Sequence, residues 1–350
     1  MTDADAITRA LVDQLADDPD DPARLGVLAD HLQATGDPRG ELIALSLAMT
    51  AGNHDAALAM RRGELMHALA PPLDHGDRVT WGVGFVRSLS LSARPRQALA
   101  AAEAMWQHPS LALLSELAID MGRWGDLAYL PRLVELVPRS LRVLVHTSVV
   151  GDAMRELGAL RQLPRLEELA FVGSAAFAQL AHPTLRRLDV ALHMPFAHVV
   201  ALSPAALPRA TELVFRATAQ ARDFDYLIDV LVSTGWLVRV TELGLVGGDL
   251  TTLGIAQLEA GLGGRRLAAL DLTGTRIHAE SQRRLALLCD ELVAPSRLDA
   301  VIESFVEHTG KPEWGRGHVV RRYEGKVEIE FPAVGRRVFR ADATCLRFTG

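Results

Sequence analysis

The chain has 350 residues, 49% apolar and 23% charged, a balance that suits a large folded core and excludes wholesale disorder. Its formal net charge of -6 is uneven: residues 1 to 75 hold 5 Arg against 13 Asp plus Glu, whereas residues 301 to 350 carry 9 basic and 7 acidic residues. Such a chain lacks the basic footprint of general nucleic-acid binding, and its two cysteines are too few for a disulfide framework or a cysteine zinc site.

Four helical faces open the chain: Ile7, Leu11 and Leu15; then Leu25, Leu28, Ala29 and Leu32; then Leu42, Ile43, Leu45 and Leu47; then Leu58, Leu65 and Leu69. The breaks have local causes. The Asp-Asp-Pro-Asp-Asp-Pro run at 17–22 places turn formers and carboxylates before a helix, and Gly36-Asp37-Pro38 stops one helix and starts the next. The start Met1-Thr-Asp-Ala-Asp lacks the basic and apolar parts of a signal peptide, and no run of eighteen apolar residues occurs, so a cytoplasmic location without membrane insertion is the expectation.

The stretch containing Asp18-Pro-Asp-Asp-Pro-Ala-Arg24-Leu, Leu28-Ala-Asp30-His-Leu32 and Gly36-Asp-Pro38-Arg39-Gly40-Glu41-Leu-Ile resembles the bacterial repeat-companion domain family over about 5–50. His31 stands where that family usually has Trp, and Leu42 where Phe is common. The resemblance implies a module preceding repeats, often leucine-rich ones, and carries no catalytic residue. Asp30, Arg39 and Glu41 are expected to form an ion-pair and capping network at the turn, with a recognition surface centred on Arg39 as the alternative.

From 83 to 292 one pattern recurs. Its marks are Val86-Arg-Ser-Leu89-Ser-Leu91, Leu114-Ser-Glu-Leu117-Ala-Ile119, Leu141-Arg-Val-Leu144-Val-His146 and Leu166-Glu-Glu-Leu169-Ala-Phe171. Leu185-Arg-Arg-Leu188-Asp-Val190, Ala210-Thr-Glu-Leu213-Val-Phe215, Val240-Thr-Glu-Leu243-Gly-Leu245 and Leu267-Ala-Ala-Leu270-Asp-Leu272 continue it, the first residues being 28, 27, 25, 19, 25, 30 and 27 apart. This resembles the leucine-rich repeat superfamily and implies an α/β solenoid of about eight units. Helices are expected at 97–107, 125–137, 223–232, 252–262 and 280–292. The Asn that usually holds the repeat turns is missing: Thr275, Gly248 and Ser174 stand there, and Asn53 is the only Asn in the chain.

Side chains alternate along a strand, so the residues flanking each middle leucine face away from the core, onto the concave face of a horseshoe. They include Glu116, Glu168, Arg187, Asp189, Glu212, Glu242 and Asp271, a mildly acidic floor suited to a basic or mixed-charge protein segment.

After a boundary at Ala294-Pro295-Ser296 and a short helix expected at 297–307, the period shortens. Gly317-His-Val319-Val320-Arg-Arg-Tyr323, Gly325-Lys-Val327-Glu-Ile329-Glu-Phe331 and Gly335-Arg-Arg-Val338-Phe339-Arg340 predict short strands, with a tight turn at Glu324-Gly325. About 303–348 resembles the SH3-like or Tudor-like barrel found at the C-termini of some bacterial DNA helicases, which implies contact with protein or nucleic acid. Trp314, Arg321, Arg322, Tyr323, Arg336 and Arg337 are its candidate contact residues.

No phosphate-binding loop, His-Glu-x-x-His or Gly-x-Ser-x-Gly motif occurs. His193 and His198 flank Pro195, which breaks any helix that could align them on a metal, and Cys289 reads as a small core residue. The expected organisation is a helical module over 1–75, repeats over 76–295 and a barrel over 296–350. The expected function is a non-catalytic scaffold or adaptor for a protein partner, without metal or cofactor. The alternatives are a nucleic-acid-linked accessory factor acting through the barrel, and a recognised substrate or regulator of a neighbouring enzyme.

Overall fold

The computed structural model describes residues 3–74, 76–92, 103–120, 130–150, 154–173, 180–192, 202–218, 222–277, 279–293, 305–323, 326–340, 343 and 345–349. The expectations for Ser174, His193, His198, the Glu324-Gly325 turn and the first parts of the helices at 97–107, 125–137 and 297–307 fall outside these residues, and where the last of these helices is expected to end, residues 305–307 are strand instead. The chain forms two compact units, Met1–Asp189 with Ala205–Arg209, and Val190–Pro204 with Ala210–Gly350.

In the first unit, helices α1 (Asp3–Leu15), α2 (Pro22–Ala34), α3 (Pro38–Thr50) and α4 (Ala56–Ala68) follow the four predicted faces. Asp21, Asp37 and Asp55 each accept a backbone N–H from the helix they cap, with Pro22 and Pro38 pre-set for the first turn. Gly36 takes a φ of 77°, the left-handed conformation that ends α2. At Gly40 the two helices touch: a Cβ there would lie 2.7 Å from the Ala29 carbonyl oxygen, so α2 and α3 meet backbone to backbone. Leu15, Leu25, Leu28, Leu32 and Ile43 form a dry cluster with Phe85 and Leu113, which joins the helices to the strands that follow.

Those strands are β1 (Arg78–Trp81), antiparallel to β2 (Val86–Ser92), and then β3 (Glu116–Asp120), β4 (Val143–Val150) and β5 (Glu168–Gly173) in parallel order. The leucines align in columns. Leu89, Leu117, Leu144 and Leu169 stand opposite one another, as do Leu91, Ile119, His146 and Phe171, and all are buried. His146 is thus a core residue in a column of apolar neighbours. A single turn, α5 (Glu103–Trp106), and α6 (Leu130–Leu136) lie between strands, and β6 (Arg187–Leu192) follows β5.

The second unit repeats the arrangement with β7 (Glu212–Arg216), β8 (Glu242–Val246), β9 (Leu267–Asp271) and β10 (Cys289–Val293), all parallel. Helices α7 (Phe224–Ser233), α8 (Thr252–Leu262) and α9 (Ala279–Ala286) connect them. The predicted helix at 280–292 therefore ends early. Its last part is β10, in which Cys289 pairs with Leu267 and is buried as a core residue of one more strand. Residues 287–293 suit helical spacing read alone, but Leu267 and Leu270 present a sheet edge that only an extended neighbour can satisfy.

Other polar groups do the work of the missing Asn. Ser140 Oγ donates to the Leu114 carbonyl at 2.8 Å, Ser115 Oγ to Arg87 at 3.1 Å, and Thr184 Oγ1 to Leu166 at 2.8 Å. His182 Nε2 lies 3.0 Å from the carbonyls of both Leu160 and Leu163, and burial pushes its pKa below the ordinary histidine value. In the second unit Thr275, fully buried, donates its hydroxyl to Leu245, and the Phe224 ring fills the space beside Gly248 that an Asn side chain would need. Among the described residues the strands are thus tied to their neighbours by different polar groups rather than by a ladder of one residue type.

The C-terminal strands β11 (Phe305–His308), β12 (Gly317–Tyr323), β13 (Lys326–Phe331), β14 (Gly335–Arg340) and β15 (Leu346–Thr349) form an antiparallel sheet ordered β14-β13-β12-β11-β15. Val306, Ile329, Phe331 and Leu346 are its buried core, edged by Trp314, Val334 and Phe339.

Candidate protein-binding face

The alternation that buries the leucines turns their neighbours outward. In the first unit the register sets Ser88, Glu116, Val143 and Glu168 in one row and Ser90, Ala118, Val145 and Ala170 in the next. Glu116 is exposed and Glu168 half-buried, with small or apolar residues between and beside them. Arg187 and Asp189, half-buried on β6, take the equivalent places on their strand.

The row in the second unit is more acidic. Glu212 pairs with Glu242, Glu242 with Ala269, and Ala269 with Glu291. Parallel strands lie about 4.8 Å apart, so Glu212 and Glu242 stand side by side as two acids in one row. Val214, Gly244 and Asp271 form the row beside it. Val214 and Gly244 are buried, and a Cβ on Gly244 would lie 2.9 Å from the Val214 side chain, so Val214 packs against the Gly244 backbone. Asp271 is partly committed to local structure, since its Oδ1 accepts from Thr273 N at 2.9 Å and Thr273 Oγ1 at 2.6 Å. Glu291 was not among the residues picked from sequence, because the helical reading of 280–292 hid its strand.

Basic residues just before these strands are tied to the helical module. Asp17 Oδ1 accepts from Arg165 at 2.8 and 2.6 Å, Asp20 pairs with Arg87, and Arg142 donates to the Asp17 carbonyl while holding Glu167 at 3.1 Å. The acidic loop at 17–22 therefore pairs with arginines in or just before the first unit's strands.

Arg39 does not join Asp30 and Glu41 in one network. Its guanidinium pairs with Asp37 at 2.5 Å, reaches the Pro109 carbonyl at 3.3 Å and lies 6.0 Å from the centre of the Phe85 ring, leaving its side chain 11% exposed. Burial raises the Asp37 carboxyl, but the hydrogen bonds and charge of Arg39 outweigh it and hold the group below its usual range. Glu41 pairs instead with Arg61 of α4 at 2.7 Å, and Asp30 is exposed. Two-residue spacing made the Asp37 pairing possible; the fold chose it by setting Phe85 and Pro109 around the arginine. A groove of about 820 Å³ beside this pair is lined by Thr8, Arg9, Asp37, Arg39, His108 and Ser110, among others.

At the C-terminal sheet Trp314 is half-buried, its ring 4.8 Å from His308 and 5.4 Å from Phe331, so it belongs largely to the aromatic core. Arg336 and Arg337 are exposed on β14, Arg336 lying 3.7 Å from Glu330. Arg321, Arg322 and Tyr323 stand in backbone register with Glu328, Val327 and Lys326. Among the described residues no group of three or more His, Cys, Asp or Glu is placed to hold a metal, and no helix is long and apolar enough to cross a membrane.

Residues 304–349 match a family described as a protein of unknown function (DUF3553). No curated protein matches the chain. Among solved structures the chain is similar to a Bacteroides fragilis protein from a structural genomics consortium, at 11% identity and a TM-score of 0.45, covering 61% of this chain and 66% of that one. It is also similar to an internalin from Listeria monocytogenes, at 13% identity and a TM-score of 0.29, covering 69% of this chain and 76% of that one.

Proposed function

We propose that the chain is a non-catalytic interaction scaffold in which the outward face of the parallel strands holds a protein segment rich in Lys or Arg. In this reading the four helices are a repeat-companion-like module, the parallel strands are leucine-rich repeats, and the C-terminal sheet is an SH3-like element that offers a second contact. The observation that carries the reading is the in-register acidic row Glu212-Glu242, continued at Glu291. A row of acids on a sheet face suits a partner selected by charge. A cytoplasmic adaptor with no cofactor fits the sequence.

The test is affinity purification from the native host with wild-type chain and with the Glu168→Lys/Glu212→Lys double variant, followed by titration of each partner recovered. Loss of partners carrying basic segments, with the variant's melting temperature unchanged, is the expected result. Retention of every partner at wild-type affinity overturns the assignment of this face.

A further inference from the structure

Two terminal strands of the second unit carry opposite charge. β10 ends the parallel ladder and β14 ends the antiparallel sheet, and among the described residues neither has a strand on its outer side. β10 reads Cys-Asp-Glu-Leu-Val, with Glu291 exposed and Val293 42% exposed; Leu287, just before it, is 70% exposed. β14 reads Gly-Arg-Arg-Val-Phe-Arg, with Arg337 exposed and Val338 52% exposed. An unpaired strand edge is a template for another strand, and the last layer of a repeat stack leaves apolar surface that needs cover.

Charge decides which strand fits. Pairing β14 with β14 would set arginines against arginines, and pairing β10 with β10 would set acids against acids. Pairing β10 with β14 instead brings Glu291 and Arg337, opposite in charge, to the same face of the joined strands. Asp290 already holds Arg266 at 2.9 Å and Arg336 leans toward Glu330, so Glu291 and Arg337 supply the complementarity. We propose that β14 of one copy adds to the β10 edge of a second copy, as a head-to-tail contact between identical chains. A contact of this kind joins two different patches, so it closes into a ring or extends as an open chain.

The experiment is sedimentation equilibrium of the full chain over a concentration series, at about 0.1 M and about 1 M salt. The expected mass rises with concentration at low salt and less so at high salt. Arg337→Glu and Glu291→Arg each weaken association by at least about tenfold, because each sets like charges across the contact. The chain carrying both substitutions regains association, because the charges are then swapped. A wild-type chain that stays monomeric throughout, single variants that associate like wild type, or a double variant that fails to recover overturns the proposal. If a single variant melts below the working temperature, hydrogen exchange of the wild type decides: the amides of 289–293 and 335–340 must slow together as concentration rises, and association without that protection overturns it.

Discussion

The parallel strands and the C-terminal sheet solve the same problem in opposite ways. Along the parallel strands the core is spread over columns of leucine, each strand contributing two or three buried residues and touching only its neighbours. In the C-terminal sheet the buried residues among those described are Val306, Ile329, Phe331 and Leu346, gathered around a few rings, with Phe331 against both Trp314 and Phe339. A distributed core tolerates local variation, which suits the different polar groups that tie its described strands together. A concentrated core does not.

The largest expected effect sharpens that contrast. Phe331→Ala removes the central ring of the small sheet and is expected to destabilise it by about 3–5 kcal/mol, enough to abolish the protection of β11–β15 amides in hydrogen exchange. Leu243→Ala, although equally buried, should raise exchange mainly in β7, β8 and β9. If both variants lose protection over the same extent of chain, the contrast is wrong.

Next in size come the polar ties. Asp37→Ala removes the α3 cap and leaves the nearly buried Arg39 without its carboxylate, and a loss of about 2–3 kcal/mol in urea unfolding is expected. Thr275→Val keeps the shape but leaves the Leu245 carbonyl without its buried donor, for about 1–3 kcal/mol. Recovery of Asn-like stability with Thr275→Asn would show that the turn accepts either donor.

A pH effect follows from His182, which is buried, and His108, which is half-buried. Burial lowers the pKa of His182, and burial together with the charge of Arg39 lowers that of His108, so the unfolded chain takes up protons at a pH where the folded chain does not. Their contribution is therefore intact above about pH 6.5 and declines as the pH falls below it. Urea midpoints measured from neutral to mildly acidic pH should drop less in His182→Gln than in wild type. The smallest effect is expected for Arg165→Ala: its pairing with Asp17 is surface-exposed on the acid side, and a change within about 1 kcal/mol is expected, reduced further by salt.

Much of this architecture was legible in the chain. The leucine spacing fixed eight strand positions and the residues beside them, because period-two burial leaves its pattern in neighbouring residues. The Asp-Pro caps located α2 and α3 for the same reason, since a cap is a contact within three residues. β10 was not legible: 287–293 carries spacing compatible with helix, and its extended form is imposed by hydrogen bonds to Leu267 and Leu270, some twenty residues earlier. Glu291 was missed with it.

The sequence by itself determined the leucine columns of the eight repeat strands, the capped starts of α2 and α3, and that acids lie beside the core leucines, because each of these is a local or periodic property. Only the tertiary structure decided that Arg39 belongs with Asp37, Phe85 and Pro109, that Asp17 and Asp20 reach Arg165 and Arg87, and that Ser, Thr and His replace the Asn of the turns. The reason is that ion pairs and buried donors depend on which distant backbones come within 3 Å, and no local pattern encodes that distance.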